Sequence, residues 1–95
     1  MKTFIELGFT ESQINEFLQD KDESFISLIL NSQSLIRNNI LFFKEQGFSN
    51  YLDLFLINPE FFCFDYSTII KKIESYQKEE LINYLKLNPE FLSRI

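Results

Sequence analysis

Arg37 and Lys44 stand seven residues apart, and Lys71 and Lys72 are adjacent, so on helices lying side by side these four cations form a short positive stripe. A stripe of this kind contacts phosphates, which is the chemistry that duplex or single-stranded nucleic acid offers. With Glu45 and Glu74 close by in sequence, four charges predict weak binding that falls steeply with salt. Bond-making chemistry has less to work with. The chain contains no histidine, which removes the imidazole base, the histidine triad and the zinc-binding helix of a metalloprotease. Cys63 lies in the apolar run Phe61-Phe62-Cys63-Phe64, where a thiol ionises reluctantly, and it reads as a small buried hydrophobe of a reducing compartment. As the lone cysteine it has no partner for an internal disulfide. Asp20 and Asp22 have calcium-loop spacing, yet Phe25 stands where the loop needs glycine and Asn31 where it needs glutamate. Glu79 and Glu80 fall in the first turn of an expected helix, where negative charge complements the macrodipole. No catalytic residue, metal site or cofactor is expected, and the function to be sought is binding.

Charge and length narrow the partner. The net charge is −5, and residues 1 to 36 carry two cations against six anions, whereas residues 37 to 95 carry seven against eight. An acidic balance disfavours the counterion release that drives nucleic-acid binding and favours a solvated face or a basic protein partner. Ninety-five residues predict one domain, 1–95. No apolar run reaches the ~18 residues of a membrane span, and the start "MKTFIELGF" has the pattern of neither a secretory leader nor a transit peptide, so the expected location is cytoplasmic, with no membrane partner.

The elements that must position these residues read as helices throughout. "KTFIELG" is a short apolar turn stopped by Gly8. Thr10 and Gln13 form a capping box for a helix over 11–19, whose apolar face is Ile14, Phe17 and Leu18. Asp22 caps a helix over 23–30. The next helix, 33–46, places Ile36, Ile40 and Phe43 on one face with Leu35 and Phe42 beside it, and Gly47 ends it. Ser49 is expected to cap "NYLDLFLI", a segment apolar nearly all round and hence the centre of the core. Asp65 or Ser67 caps a helix over 66–76 with Tyr66, Ile69, Ile70, Ile73 and Tyr76 on its apolar face, and a final helix spans 78–87.

Both prolines stand in one tetrapeptide, Asn58-Pro59-Glu60-Phe61 and Asn88-Pro89-Glu90-Phe91, thirty residues apart. Asparagine ends one helix and opens the next turn, while proline takes a first position where its missing N–H costs nothing, so each tetrapeptide is a corner. The same shift pairs Phe43 with Ile73, Leu52 with Ile82, Phe55 with Leu85 and Ile57 with Leu87. A shift of 39 pairs Phe4, Gly8 and Phe9 with Phe43, Gly47 and Phe48. Such periods predict stacked helical units, none of which buries its apolar face alone.

The stretch "NILFFKEQGFSNYLDLFLINPEFFCFDYSTIIKKIESY" resembles the repeat of the mitochondrial transcription termination factor (mTERF) family: helix, glycine turn, helix, proline corner. "FIELGFTESQINEFL" resembles the start of another unit and "EELINYLKLNPEFL" the end of a third. The resemblance implies an all-α, mTERF-like mini-solenoid of about two and a half units, stacked with either hand, and a groove that holds double-stranded DNA or RNA. The sequence departs from the pattern at Gln77-Lys78-Glu79, which replaces Gly47-Phe48-Ser49 and permits the last two helices to fuse. Lys21-Asp22-Glu23 replaces the first corner.

From these readings the expected function is a non-enzymatic helical-repeat module that binds another protein, in a regulatory or inhibitory role. The alternative is an mTERF-like nucleic-acid binder using Arg37, Lys44, Lys71 and Lys72. The chain finishes "PEFLSRI", so Phe91, Leu92 and Ile95 either fold back on the last helix or form an apolar edge for a partner or a second copy. A monomer, or a homodimer through that edge, is expected.

Overall fold

The computed structural model describes residues 2–95, and these form seven α-helices and two 3-10 turns, with no strand among them. The helices are α1 (Lys2–Leu7), α2 (Glu11–Gln19), α3 (Glu23–Asn31), α4 (Gln33–Gln46), α5 (Tyr51–Ile57), α6 (Tyr66–Glu74) and α7 (Lys78–Leu87). The 3-10 turns are the Pro59 corner (Pro59–Cys63) and the Pro89 corner (Pro89–Arg94). Principal extents of 36 × 24 × 23 Å make a short globule, not an extended superhelix.

Local chemistry accounts for most boundaries. The Thr10 hydroxyl accepts from the Gln13 N–H at 3.1 Å, while the Gln13 side chain accepts from the Thr10 N–H at 2.8 Å, closing the expected capping box on α2. Asp22 Oδ1 accepts from the Phe25 N–H at 2.8 Å and opens α3. Gly8 and Gly47 have φ of +117° and +101°, and the next residue in each case donates back over the helix end, Phe9 N–H to the Phe4 carbonyl and Phe48 N–H to the Phe43 carbonyl, both at 3.1 Å. A methyl group built on Gly8 would stand 3.3 Å from Leu52 Cδ1, and one on Gly47 would stand 3.5 Å from Ile82 Cδ1. Each glycine turn thus lies against an apolar side chain of a later helix.

The two corners share one backbone. Asn58 has φ, ψ of −139°, 74° and Asn88 has −136°, 74°, and each donates its N–H to the carbonyl four residues earlier. Each asparagine carbonyl in turn accepts from the phenylalanine three residues on, at 3.2 Å for Phe61 and 3.1 Å for Phe91. Proline occupies the first turn in both, where no amide hydrogen is needed.

Three local expectations are corrected. Asn50, not Ser49, stands at the start of α5, and it makes no capping bond: its Nδ2 donates to the Leu85 carbonyl at 3.2 Å, while its Oδ1, the atom that would accept a first-turn N–H, is buried without a partner among the described residues. Asp65 precedes α6 without a side-chain cap. Helices α6 and α7 are not fused: α6 stops at Glu74, the Ser75 hydroxyl donates to the Lys72 carbonyl at 2.6 Å, and Gln77 is extended and caps α7 through the Glu80 N–H at 3.1 Å. A glutamine that accepts a first-turn N–H starts a helix as well as a glycine stops one.

Phenylalanine dominates the interior. Phe4, Phe43, Phe48, Phe55 and Phe62 are all shielded from solvent, and full burial of one such ring contributes about 1.5–3 kcal/mol. Phe55 of α5 lies at the hub, with ring centroids of Phe4, Phe9, Phe17 and Phe62 at 5.5–5.8 Å. Through Phe62 the ring contacts continue to Phe43 at 5.0 Å, and from Phe43 to Phe42, Phe48 and Phe61. Expected at the centre of the core, α5 supplies its hub, while Ile57 at its C-terminal end is 48% exposed. From α6 onward the core is aliphatic: Ile69, Ile73, Leu81, Leu85 and Leu92 fill it.

Asn39 is the one buried polar residue of this core, 0% exposed on α4. Its Nδ2 donates to the carbonyls of Phe62 and Phe64, both at 2.8 Å. The end of the Pro59 corner, whose carbonyls have no helical partner, is thereby pinned to α4.

Candidate binding surfaces

The cations of the expected stripe are set in different surroundings. Arg37 and Lys44 are exposed on α4, and the Lys44 ammonium lies 6.0 Å from the centroid of the Tyr51 ring at the start of α5. Lys71 is exposed on α6, which packs on α4. Lys72, the next residue, is half-buried: its ammonium lies 5.4 Å from the Phe64 centroid and donates to the Ile95 carbonyl at 3.3 Å. Successive residues are about 100° apart around a helix, so Lys71 and Lys72 cannot both face the same groove. Arg37, Lys44 and Lys71 are the solvent-facing members of the set, and Lys72 ties the Pro59 corner to the chain's last residue.

Cys63 is half-buried, not fully enclosed as expected, with its sulfur 3.6 Å from the Pro59 carbonyl. Burial pushes the thiol above its ordinary pKa, the Glu60 carboxylate adds to the shift, and the Ser32 hydroxyl opposes it. A thiol held protonated in this way is a poor nucleophile.

At the C-terminal end the three edge residues separate. Leu92 is 1% exposed and belongs to the core, while Phe91 and Ile95 are half-buried. Phe91 is gripped by two tyrosines, with centroids at 6.2 Å for Tyr76 and 4.7 Å for Tyr84. The corner residues Asn58, Pro59, Asn88 and Pro89 and the turn glycines Gly8 and Gly47 shape the backbone.

Two exposed apolar residues went unnoticed as surface positions in the sequence. Ile57 is 48% exposed and Leu87 is 81% exposed, and each is the last residue of its helix, immediately before a corner asparagine. The thirty-residue shift had already paired them; what periodicity could not supply was that both point outward. Ile5, Leu28 and Leu30 are further exposed aliphatic residues, on α1 and α3.

The tyrosines and Phe91 also border recesses. One of about 180 Å³ is bounded by Tyr76, Gln77, Glu80, Leu81, Tyr84 and Phe91. A neighbouring one of about 280 Å³, across the Tyr84–Phe91 pair, includes Glu90 and Arg94. At the opposite end of the chain, Ile5, Phe9, Ile14 and Leu18 line a groove of about 490 Å³ between α1 and α2. No helix among the described residues is long and apolar enough to cross a membrane. Comparison with protein-family models, with curated proteins and with solved structures finds no match to this chain.

Proposed function

We propose that this chain is a non-enzymatic stack of mTERF-like helical repeats whose task is to bind another protein. The observation that carries the reading is the placement of Ile57 and Leu87, exposed apolar residues at the same step of two thirty-residue segments, each beside a corner of the same backbone geometry. Apolar side chains repeated at one step of a stack make an edge that a partner covers, since water is a poor neighbour for either. The repeat reading draws further support from Gly8 against Leu52 and Gly47 against Ile82, two glycine turns each meeting an apolar residue of the following segment. The net charge of −5 favours a basic partner.

The test is a binding comparison. The wild-type chain and an Ile57→Glu, Leu87→Glu variant are used as immobilised bait, and recovered proteins are identified and then titrated as purified components. A saturable complex weakened at least tenfold by the variant supports the reading. A complex indifferent to both substitutions rejects the edge.

A nucleic-acid reading retains one observation of its own: Arg37, Lys44 and Lys71 are solvent-facing on packed helices. Titration against duplex DNA, single-stranded DNA and RNA at rising salt separates the two. Tight binding with a steep salt slope favours phosphate contact, and absence of binding at low salt removes it.

A further inference from the structure

We infer that the recess formed by Tyr76, Tyr84, Phe91 and Glu80 is a binding site for a cationic side chain, an arginine presented by a basic protein partner. The inference rests on the protein-binding reading for the identity of the ligand's carrier, and on its own geometry for the chemistry.

The walls are aromatic and steeply set. The Tyr76 ring is inclined at 82° to Phe91 and the Tyr84 ring at 67°, so both tyrosines meet Phe91 in edge-to-face contacts beside the recess. Tyr76 is 36% exposed and Tyr84 48%, so solvent reaches both side chains, and buried Leu81 completes the apolar lining. Aromatic faces carry partial negative charge and attract a guanidinium or ammonium within about 6 Å of the ring centre. Glu80 supplies a full negative charge at the same recess. A volume of about 180 Å³ is below the ~300 Å³ at which sites for free drug-sized ligands begin, and suits the head of one side chain. Guanidinium fits this set better than ammonium, because it is planar, stacks on rings and takes a carboxylate by two parallel hydrogen bonds.

The rest of the molecule treats its aromatic faces in the same way. Lys21 lies 5.4 Å from the Phe17 centroid and 5.6 Å from that of Phe25, Lys44 covers Tyr51, and Lys72 covers Phe64. Among the described residues, no lysine or arginine of this chain is paired with the rings of Tyr76, Tyr84 or Phe91, and Arg94 borders the neighbouring recess across the Tyr84–Phe91 pair, together with Glu90. A three-ring cluster with an adjacent carboxylate is therefore left for a cation from outside. The position also explains a departure from the repeat: Tyr84 corresponds to Leu54 at the thirty-residue shift, and Leu54 is buried in the core while Tyr84 is presented at the surface.

The experiment titrates N-acetyl-arginine methylamide into the isotope-labelled chain and follows the ring resonances of Tyr76, Tyr84 and Phe91. N-acetyl-citrulline methylamide, its neutral counterpart, is the control. Saturable shifts in the millimolar range with arginine and none with citrulline are expected. Glu80→Gln, which keeps the side chain's size and the capping amide, weakens binding about fivefold, and Tyr84→Leu, which keeps bulk but removes a ring, weakens it about tenfold. Equal responses to arginine and citrulline, or arginine binding unaltered in Tyr84→Leu with its helical circular dichroism intact, overturn the assignment. Failure here is distinguishable from failure of the broader reading. A protein complex that depends on Ile57 and Leu87 but ignores Glu80→Gln and Tyr84→Leu rejects the recess alone, whereas arginine binding without such a complex keeps the recess and rejects the edge.

Discussion

Asn39 Nδ2 donates to the Phe62 carbonyl across 2.8 Å from a position with no solvent exposure, joining α4 to a turn 23 residues further along the chain. The same nitrogen reaches the Phe64 carbonyl, so one amide satisfies two acceptors at the end of the Pro59 corner. Removing it leaves a buried carbonyl without a donor, which costs about 1–3 kcal/mol on top of the lost packing. Asn39→Ala is expected to destabilise the chain by about 2–4 kcal/mol in urea unfolding. Asn39→Asp is expected to be worse at neutral pH, because a buried carboxylate cannot donate. Its folded-state pKa is raised by burial, so the penalty eases as pH falls through that value. Equal stability of Asn39→Asp and wild type at pH 7 would refute this account.

Gly8→Ala and Gly47→Ala each force a side chain into a left-handed backbone, at φ of +117° and +101°. Each is expected to cost about 1–2 kcal/mol, read as a lowered denaturation midpoint. The Gly8 variant should suffer more, since its new methyl meets Leu52 Cδ1 at 3.3 Å, tighter than the 3.5 Å at Gly47.

Thr10→Ala breaks a reciprocal cap and is expected to cost about 1 kcal/mol. Ser49→Ala removes a hydroxyl that caps nothing and should fall within about 0.5 kcal/mol of wild type. Thermal melts of the two variants side by side make the comparison.

The Cys63 thiol is pushed up by burial and by Glu60. Alkylation by iodoacetamide is expected to be slower than for the unfolded chain at the same pH, and Glu60→Gln should speed it by withdrawing a like charge. Linkage gives the stability counterpart. With the folded pKa above the unfolded one, the thiol's contribution is intact below the ordinary thiol range and lost as pH rises through the folded value. Wild type should therefore lose more stability at alkaline pH than Cys63→Ala.

Helix positions were legible in the sequence because caps, glycines and prolines act within four residues. Thr10 with Gln13, Asp22, Gly47 and Pro59 each declare a boundary by local chemistry alone. What joins distant segments was not legible. Asn39 lies three residues after Ile36 and four before Phe43, on the face those residues define, but its partners are carbonyls of the Pro59 corner and its exit, which no spacing within α4 announces. At the start of α5, Asn50 stands where Ser49 is expected to cap, and its Nδ2 is held by Leu85 on α7, a partner 35 residues away that no local pattern announces. At the candidate site, Tyr76 read as part of a helical face because the period continued through it. The helix ends two residues sooner, and that end frees Tyr76 to stand beside Phe91.

The linked rings that run from Phe25 through Phe55 and Phe62 to Phe43 and Tyr66 form one continuous aromatic body, while Tyr76, Tyr84 and Phe91 form a second, and aliphatic side chains lie between the two. The molecule therefore has a seam. Ring pairs add about 0.5–1.5 kcal/mol each beyond the area they cover, a term that acts within each body and not across the seam, where α5 packs on the Pro89 corner and Asn50 donates to Leu85. Under native conditions in heavy water, amide hydrogens of α7 and the Pro89 corner should be replaced by deuterium before those of α4 and α5, as the smaller body swings away while the larger stays shut.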